Sequence, residues 1–298
     1  MVRQYKIHTN LDGTDDKVWD VTNGKVRFYQ PSNLGLQSTN NIWQSNSVGV
    51  MGTRSITQPQ IEFKLETFGE SLSENYQLMK DFVNDILNKK FVTLEYQTEI
   101  FQVYADLALA DVTKTEGYGK NGTFSEKITF DVITKWYTYE NLTFDMIQNG
   151  KVIAGKSKIY GGIAPGNYKY IKGTSYTYYG ESNIERLSRW DIKDEIFSFM
   201  GILYPKLPKT PTGVRFLDDI GNEYTAIVFK TEESQDYILI NTDVNDETYQ
   251  GWKGTTALNL FPVMDFERYR TRIIEKGQME LINLSKAEFK VKRKADFV

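Results

Sequence analysis

The residues of this chain best equipped for chemistry are its adjacent carboxylates. Asp218 with Asp219, Glu232 with Glu233 and Asp246 with Glu247 stand side by side. Two carboxyl groups flanking a glycosidic bond can divide the work of general acid and nucleophile or base. The spacing argues against that use, because neighbours on a strand point to opposite faces. These pairs read as turn and surface acids. Asp243, Asn245 and Glu247 alternate as the first oxygen ligands of an EF-hand loop do. That pattern then requires Gly at position six and Glu at position twelve, where the chain has Thr248 and Gly254. An incidental surface contact with calcium is all the run supports. Gly117, Gly119 and Gly122 fit the spacing of a phosphate loop but lead into the strand-like SEKITF, so a hairpin tip is the better reading.

The rest of the catalytic inventory is thin. The 298 residues include no cysteine, which excludes disulfides, thiolate metal sites and a Cys nucleophile. The single histidine, His8, sits in a polar N-terminal stretch and reads as a solvated imidazole. A zinc site or a Ser-His-Asp triad has no other histidine to use. No cofactor is expected. A net charge of −3 gives no basic footprint for nucleic acid, and no run reaches the roughly 18 apolar residues of a membrane span. The start, MVRQYKIHTNLDGTDDK, lacks the apolar region of a signal peptide, so the protein is expected to be made in the cytoplasm. Trp252, in TYQGWKGTT, can stack on a sugar ring, but capping a sandwich edge is favoured.

One stretch stands apart. Between Tyr160 and Gly180 the chain places six tyrosines and five glycines with no acidic residue. Tyrosine gives a large amphipathic contact at small entropic cost, and glycine frees the backbone to follow the contact. Composition alone leaves two readings open: an irregular hairpin packed on its own sheet, or a protein-binding surface.

The elements that position these residues are mostly strands. Ile61, Phe63 and Leu65 alternate with Glu62, Lys64 and Glu66; Val92, Leu94 and Tyr96, and Ile128, Phe130 and Val132, do the same. Near the end Phe289, Val291, Ala295 and Phe297 alternate with Lys290, Lys292, Lys294 and Asp296, which reads as a solvated basic face. Asp12-Gly13, Asn23-Gly24, Asn121-Gly122 and Asn149-Gly150 predict turns with positive φ. One helix is predicted. Ser71 and Glu74 form a capping box, and Tyr76, Met79, Val83, Ile86 and Leu87 supply its apolar face, with an end near Lys89-Lys90. A boundary is expected just after Trp136. A second β unit follows, with strands in TAIVFKT, DYILINTD and TALNLF.

The order QIEFKLETFGES, capped helix, strands, KITFDVITKWY, then YILINTD, WKGTTALNLF and IIEKGQMELINLSKAEFKVKR resembles the distal tail proteins of long-tailed phages, and the lactococcal ones above all. The resemblance covers the whole chain. It implies a mainly β protein of two β-sandwich-like domains: a ring-forming belt domain with one α-helix, residues 1–139 completed by 280–298, and a galectin-like domain, 140–279, with an arm and hand at about 145–185. It implies no enzyme. It implies a hexameric ring, singly or stacked, between the major tail protein and the tail-tip protein, with DNA only passing through and no membrane partner. The place implied is the tail tip of the virion. The arm would hold receptor-binding protein trimers, and Tyr160, Tyr168, Tyr170, Tyr176, Tyr178 and Tyr179 fall within it. The alternative is a lectin-like module contacting saccharide of the host wall.

Overall fold

The computed structural model describes residues 3–114, 119, 122–148, 151–152, 158–160, 176–178, 190–244 and 246–295. The chain divides into two compact units, Met1–Thr138 with Ala295–Val298, and Tyr139–Lys294. Strands carry most of it, and one α-helix, α1, spans Leu72–Leu87.

The first unit holds β1 (Gln4–His8), β2 (Val18–Asp20), β3 (Val26–Ser32), β4 (Gln37–Ser45), β5 (Val48–Thr57), β6 (Ile61–Thr67), β7 (Val92–Gln97), β8 (Gln102–Thr113) and β9 (Ser125–Val132). Seven of these pair antiparallel in the order β2-β1-β7-β8-β9-β6-β3. The two ends of the order share one core, since Tyr5 of β1 meets Phe63 of β6 edge to face at 5.4 Å. Ile61, Phe63 and Leu65 are buried and their polar neighbours are not, as the alternation predicts. Strand β7 differs. Thr93 and Glu95, read as its wet face, are buried beneath a polar network.

Helix α1 begins as its sequence signature requires. The Ser71 side chain accepts from the Glu74 amide at 3.2 Å, and the Glu74 carboxylate accepts from the amide of Glu70, one residue earlier than a reciprocal box would. Its buried face is shifted from the predicted one. Asn75, Phe82 and Ile86 are buried, with Leu78, Met79 and Val83 packed beside them, while Tyr76 and Leu87 face solvent. Residues 75, 82 and 86 lie four and seven apart, and Tyr76 and Leu87 each fall about 100° off that line. Phe82 is the anchor the periodicity missed, 5.2 Å from Trp19 and 5.8 Å from Phe28. Asn75 counts as apolar because its amide is fully occupied: it accepts from Gly69 and donates to the carbonyls of Gly69 and Ser71. No cation lies in the last turn; Lys89 instead pairs with Asp15 at 2.9 Å. Leu87→Ser is expected to shift stability by less than about 0.5 kcal/mol in urea unfolding of the full chain.

Of the three predicted turns whose glycine is described, only that at Gly122 has positive φ, at 73°. A Cβ there would stand 2.8 Å from the Cα of Leu72, so the β8–β9 tip presses on the start of the helix. Gly13 closes a four-residue turn onto Asn10 and Gly24 a five-residue turn onto Asp20, and Asn149-Gly150 lies outside the described residues.

The second unit takes in β10 (Tyr137–Gln148) after its first two residues, then β11 (Lys151–Val152), β12 (Lys158–Tyr160), β13 (Tyr176–Tyr178), β14 (Trp190–Ile192), β15 (Ile196–Pro205) and β16 (Thr212–Leu217). It continues with β17 (Glu223–Phe229), β18 (Tyr237–Asn241), β19 (Thr248–Lys253), β20 (Thr256–Asn259), β21 (Gly277–Ile282) and β22 (Leu284–Lys294). Two layers face each other, β10-β22-β15-β18-β19-β20 and β14-β21-β16-β17. Phe199, Ile238, Ile240 and Phe289 from the first, and Val214, Phe216, Ile227 and Leu281 from the second, make one core.

The chain returns to the first unit later than 280. Leu281, Leu284, Phe289 and Val291 belong to the second core, and β22 pairs along β15 from Leu284 to Arg293. Only residues from Ala295 rejoin, where the Ala295 amide donates to the Trp136 carbonyl at 2.8 Å. The basic face of β22 is also drier than expected. Lys292 is buried and its ammonium lies 2.8 Å from Asp243.

Candidate binding surfaces

The adjacent carboxylates serve turns, hydrogen bonds and ion pairs, or lie on the open surface. Asp218 accepts from the amides of Ile220 and Asn222, as a turn acid does, and Glu232 and Glu233 are exposed. In the run that resembles a calcium loop, Asp243 holds Lys292, Asp246 accepts from the Asn241 amide at 3.2 Å, and Glu247 takes the Tyr249 hydroxyl and Arg272, both at 2.8 Å. Burial, together with hydrogen bonds to Tyr269 and Glu247, pushes the Tyr249 hydroxyl far above its ordinary range, so it stays a donor to Glu247. Asn245 lies outside the described residues. Among the described residues no group of three or more histidine, cysteine or carboxylate side chains is placed to hold a metal ion.

His8 is not the solvated imidazole its neighbours suggest. It is buried at the end of β1, with Nδ1 2.7 Å from Asp16 Oδ2 and Nε2 2.8 Å from Glu95 Oε2. The other Glu95 oxygen accepts from Lys6 and from Gln102, both at 3.0 Å. Burial alone would raise the Glu95 carboxyl; the hydrogen bonds from His8 and Lys6 outweigh it and hold the group below its ordinary value. The arrangement ties the Thr9–Lys17 loop to β7. It sets a histidine between two carboxylates and joins two distant parts of the first unit.

Three of the tyrosines singled out for a partner, Tyr160, Tyr176 and Tyr178, lie on described strands. β12 and β13 pair in parallel, with Tyr160 opposite Tyr178 and Lys158 opposite Tyr176, and β12 pairs in turn with β10. The backbone therefore brings these three to one small ladder. Tyr168, Tyr170 and Tyr179 lie outside the described residues.

An exposed apolar surface of the first unit went unpredicted. Among the described residues strands β4 and β5 pair only with each other, and every residue in both is exposed. The register sets Trp43 opposite Val50 and Ser45 opposite Val48, and on the other face Ile42 opposite Met51. Both faces are thus apolar. Trp43 is 70% exposed, Val48 66% and Val50 63%. An isolated two-stranded hairpin is marginal in water, and an apolar patch of this size usually marks a contact. The signal in the sequence is compositional: from Gln37 to Thr57 the only charge is Arg54.

A family model described as distal tail protein, N-terminal domain, matches residues 4–133, and one described as Dit, C-terminal domain, matches residues 135–298. The chain is 95% identical over its whole length, and that of its relative, to the distal tail protein of Lactococcus phage p2, and 91% identical to that of Lactococcus phage SK1. A solved structure of the phage P2 baseplate in its activated conformation with Ca contains a chain 95% identical that superposes with a TM-score of 0.78 over all of both chains. The Dit protein of phage SPP1, at 9% identity and a TM-score of 0.53 over 98% of each chain, shares the fold. The chain belongs to the distal tail protein family.

Proposed function

We propose that this protein is a structural hub of a phage baseplate at the tip of the virion tail, in which copies of the first unit close a ring and the second unit holds the receptor-binding proteins. The single observation that carries the ring is the β4–β5 hairpin. Its two apolar faces need a cover, and the cover we assign is the first unit of a neighbouring copy. Six copies, singly or in stacked rings, fit the family to which the chain belongs. The tube protein would bind above and the tail-tip protein below, with DNA crossing the lumen. Membership of the family and near identity to a baseplate protein of phage p2 support this reading, which calls for no catalytic step.

Native mass spectrometry of the purified chain tests it: a single mass of six or twelve copies is expected, and a clean monomer would overturn the ring. The arm has its own test. Replacing Tyr168, Tyr170, Tyr176 and Tyr178 with serine is expected to abolish capture of receptor-binding protein trimers in a pull-down while the ring mass persists. Loss of the ring instead would place those tyrosines in the fold.

A further inference from the structure

The larger sheet of the second unit turns one face away from the core, and its residues follow a pattern that the hub role leaves unused. On β15 this face carries Met200, Ile202 and Tyr204, and on β18 Tyr237, Leu239 and Asn241, alternating with core residues. The register sets Tyr237 opposite Trp252 of β19, and the two rings lie 6.0 Å apart and nearly parallel at 11°. Tyr204 stands 6.4 Å from Tyr237, and its ring carries the Lys286 ammonium at 5.1 Å. Three aromatic rings therefore form a row across three neighbouring strands.

Beside that row, on the same face, lies a groove of about 560 Å³. Met200, Ile202 and Leu239 give it an apolar floor; Asn141, Asn241 and Thr248 line its walls. Asp246, Glu288 and Lys290 also line it; Glu288 pairs with Lys286, and the Lys290 ammonium lies over the Tyr139 ring at 4.0 Å, so the lining is not basic. Asn241 is held in one orientation, since its Oδ1 accepts from the Asp243 amide at 3.1 Å and its Nδ2 donates to Asp246 at 3.2 Å. One N–H of that amide keeps no partner among the described residues.

We propose that this groove binds a neutral saccharide chain. A pyranose ring presents an apolar C–H face and an equator of hydroxyls, and it needs an apolar or aromatic surface beside fixed amide, hydroxyl and carboxylate groups. The groove supplies both. Its volume lies in the range of small-ligand sites. A nucleic acid would require a basic lining, which two carboxylates against one lysine do not provide. An extended peptide binds by adding to a strand edge, whereas the backbone groups here are spent within the sheet. The proposal does not rest on the hub reading, and ring mass measured in parallel keeps the two apart.

The test titrates the full-length protein with cellohexaose, maltohexaose and chitohexaose, following Trp fluorescence and amide NMR shifts. At least one is expected to bind with a millimolar or tighter dissociation constant. Tyr237→Ala and Asn241→Ala, each with parental circular dichroism and ring mass, are expected to weaken it at least about tenfold. Should Tyr237→Ala misfold, Tyr204→Ala replaces it. No binding of any of the three at about 10 mM, binding unchanged in the folded variants, or tighter binding of anionic polygalacturonate would each overturn the site.

Discussion

Replacing Trp43 and Val50 with serine is expected to convert the assembled protein into single chains. Both residues point to one face of the β4–β5 hairpin, opposite each other in register, and both are more than half exposed in the lone chain. Burying each fully in a contact contributes roughly 1.5–3 kcal/mol, and tryptophan more than most when it anchors an interface. The loss would recur at every junction of the proposed ring. The fold of the single chain should not suffer, because neither residue belongs to a core cluster. Native mass spectrometry and circular dichroism together read the result. An intact ring in the double variant would move the contact elsewhere and leave the hairpin without an explanation.

The second large effect concerns the network beneath the first sheet. Glu95→Leu is expected to destabilise the protein by about 3–5 kcal/mol, since it leaves Lys6 and the buried His8 without the carboxylate that both contact. Glu95→Gln, which keeps an acceptor, should lose less. Scanning calorimetry of the full chain measures both. The same carboxylate gives a pH dependence of definite sign. Its folded value is held below the ordinary 4.5, so its contribution is present above that value and is lost as pH falls through the lower, folded one. Calorimetry between about pH 5 and pH 3 should show a steeper loss in the parent protein than in Glu95→Gln.

Features carried by local spacing were legible in the sequence. Ile61, Phe63 and Leu65 announce a half-buried strand because a sheet repeats every two residues, and Ser71 with Glu74 announces a helix start because capping partners are three residues apart. Features made by distant partners were not. His8 finds Glu95 across 87 positions, and no local pattern tells a polar residue near the start that it will be buried. Lys292 misled for the same reason, its Asp243 lying 49 residues away. The helix face was misread by one step because Tyr76 and Leu87 are apolar yet exposed, while Asn75 is polar yet buried. The hairpin escaped notice because strand patterns are read from alternation of apolar with polar residues, and a segment wet on both faces in the single chain has none to show.

The hydrogen bond between Ala295 and Trp136 has a bearing on how such chains diversify. The chain departs for its second unit just past Trp136 and comes back at Ala295, two points joined by one contact of 2.8 Å. To the first unit, the 156 residues from Tyr139 to Lys294 are a single closed loop clipped at its base. A different module with equally close ends would leave every strand pairing of the first unit in place. Recombination at these two sites would therefore exchange the second unit while the part proposed to close the ring is inherited unchanged.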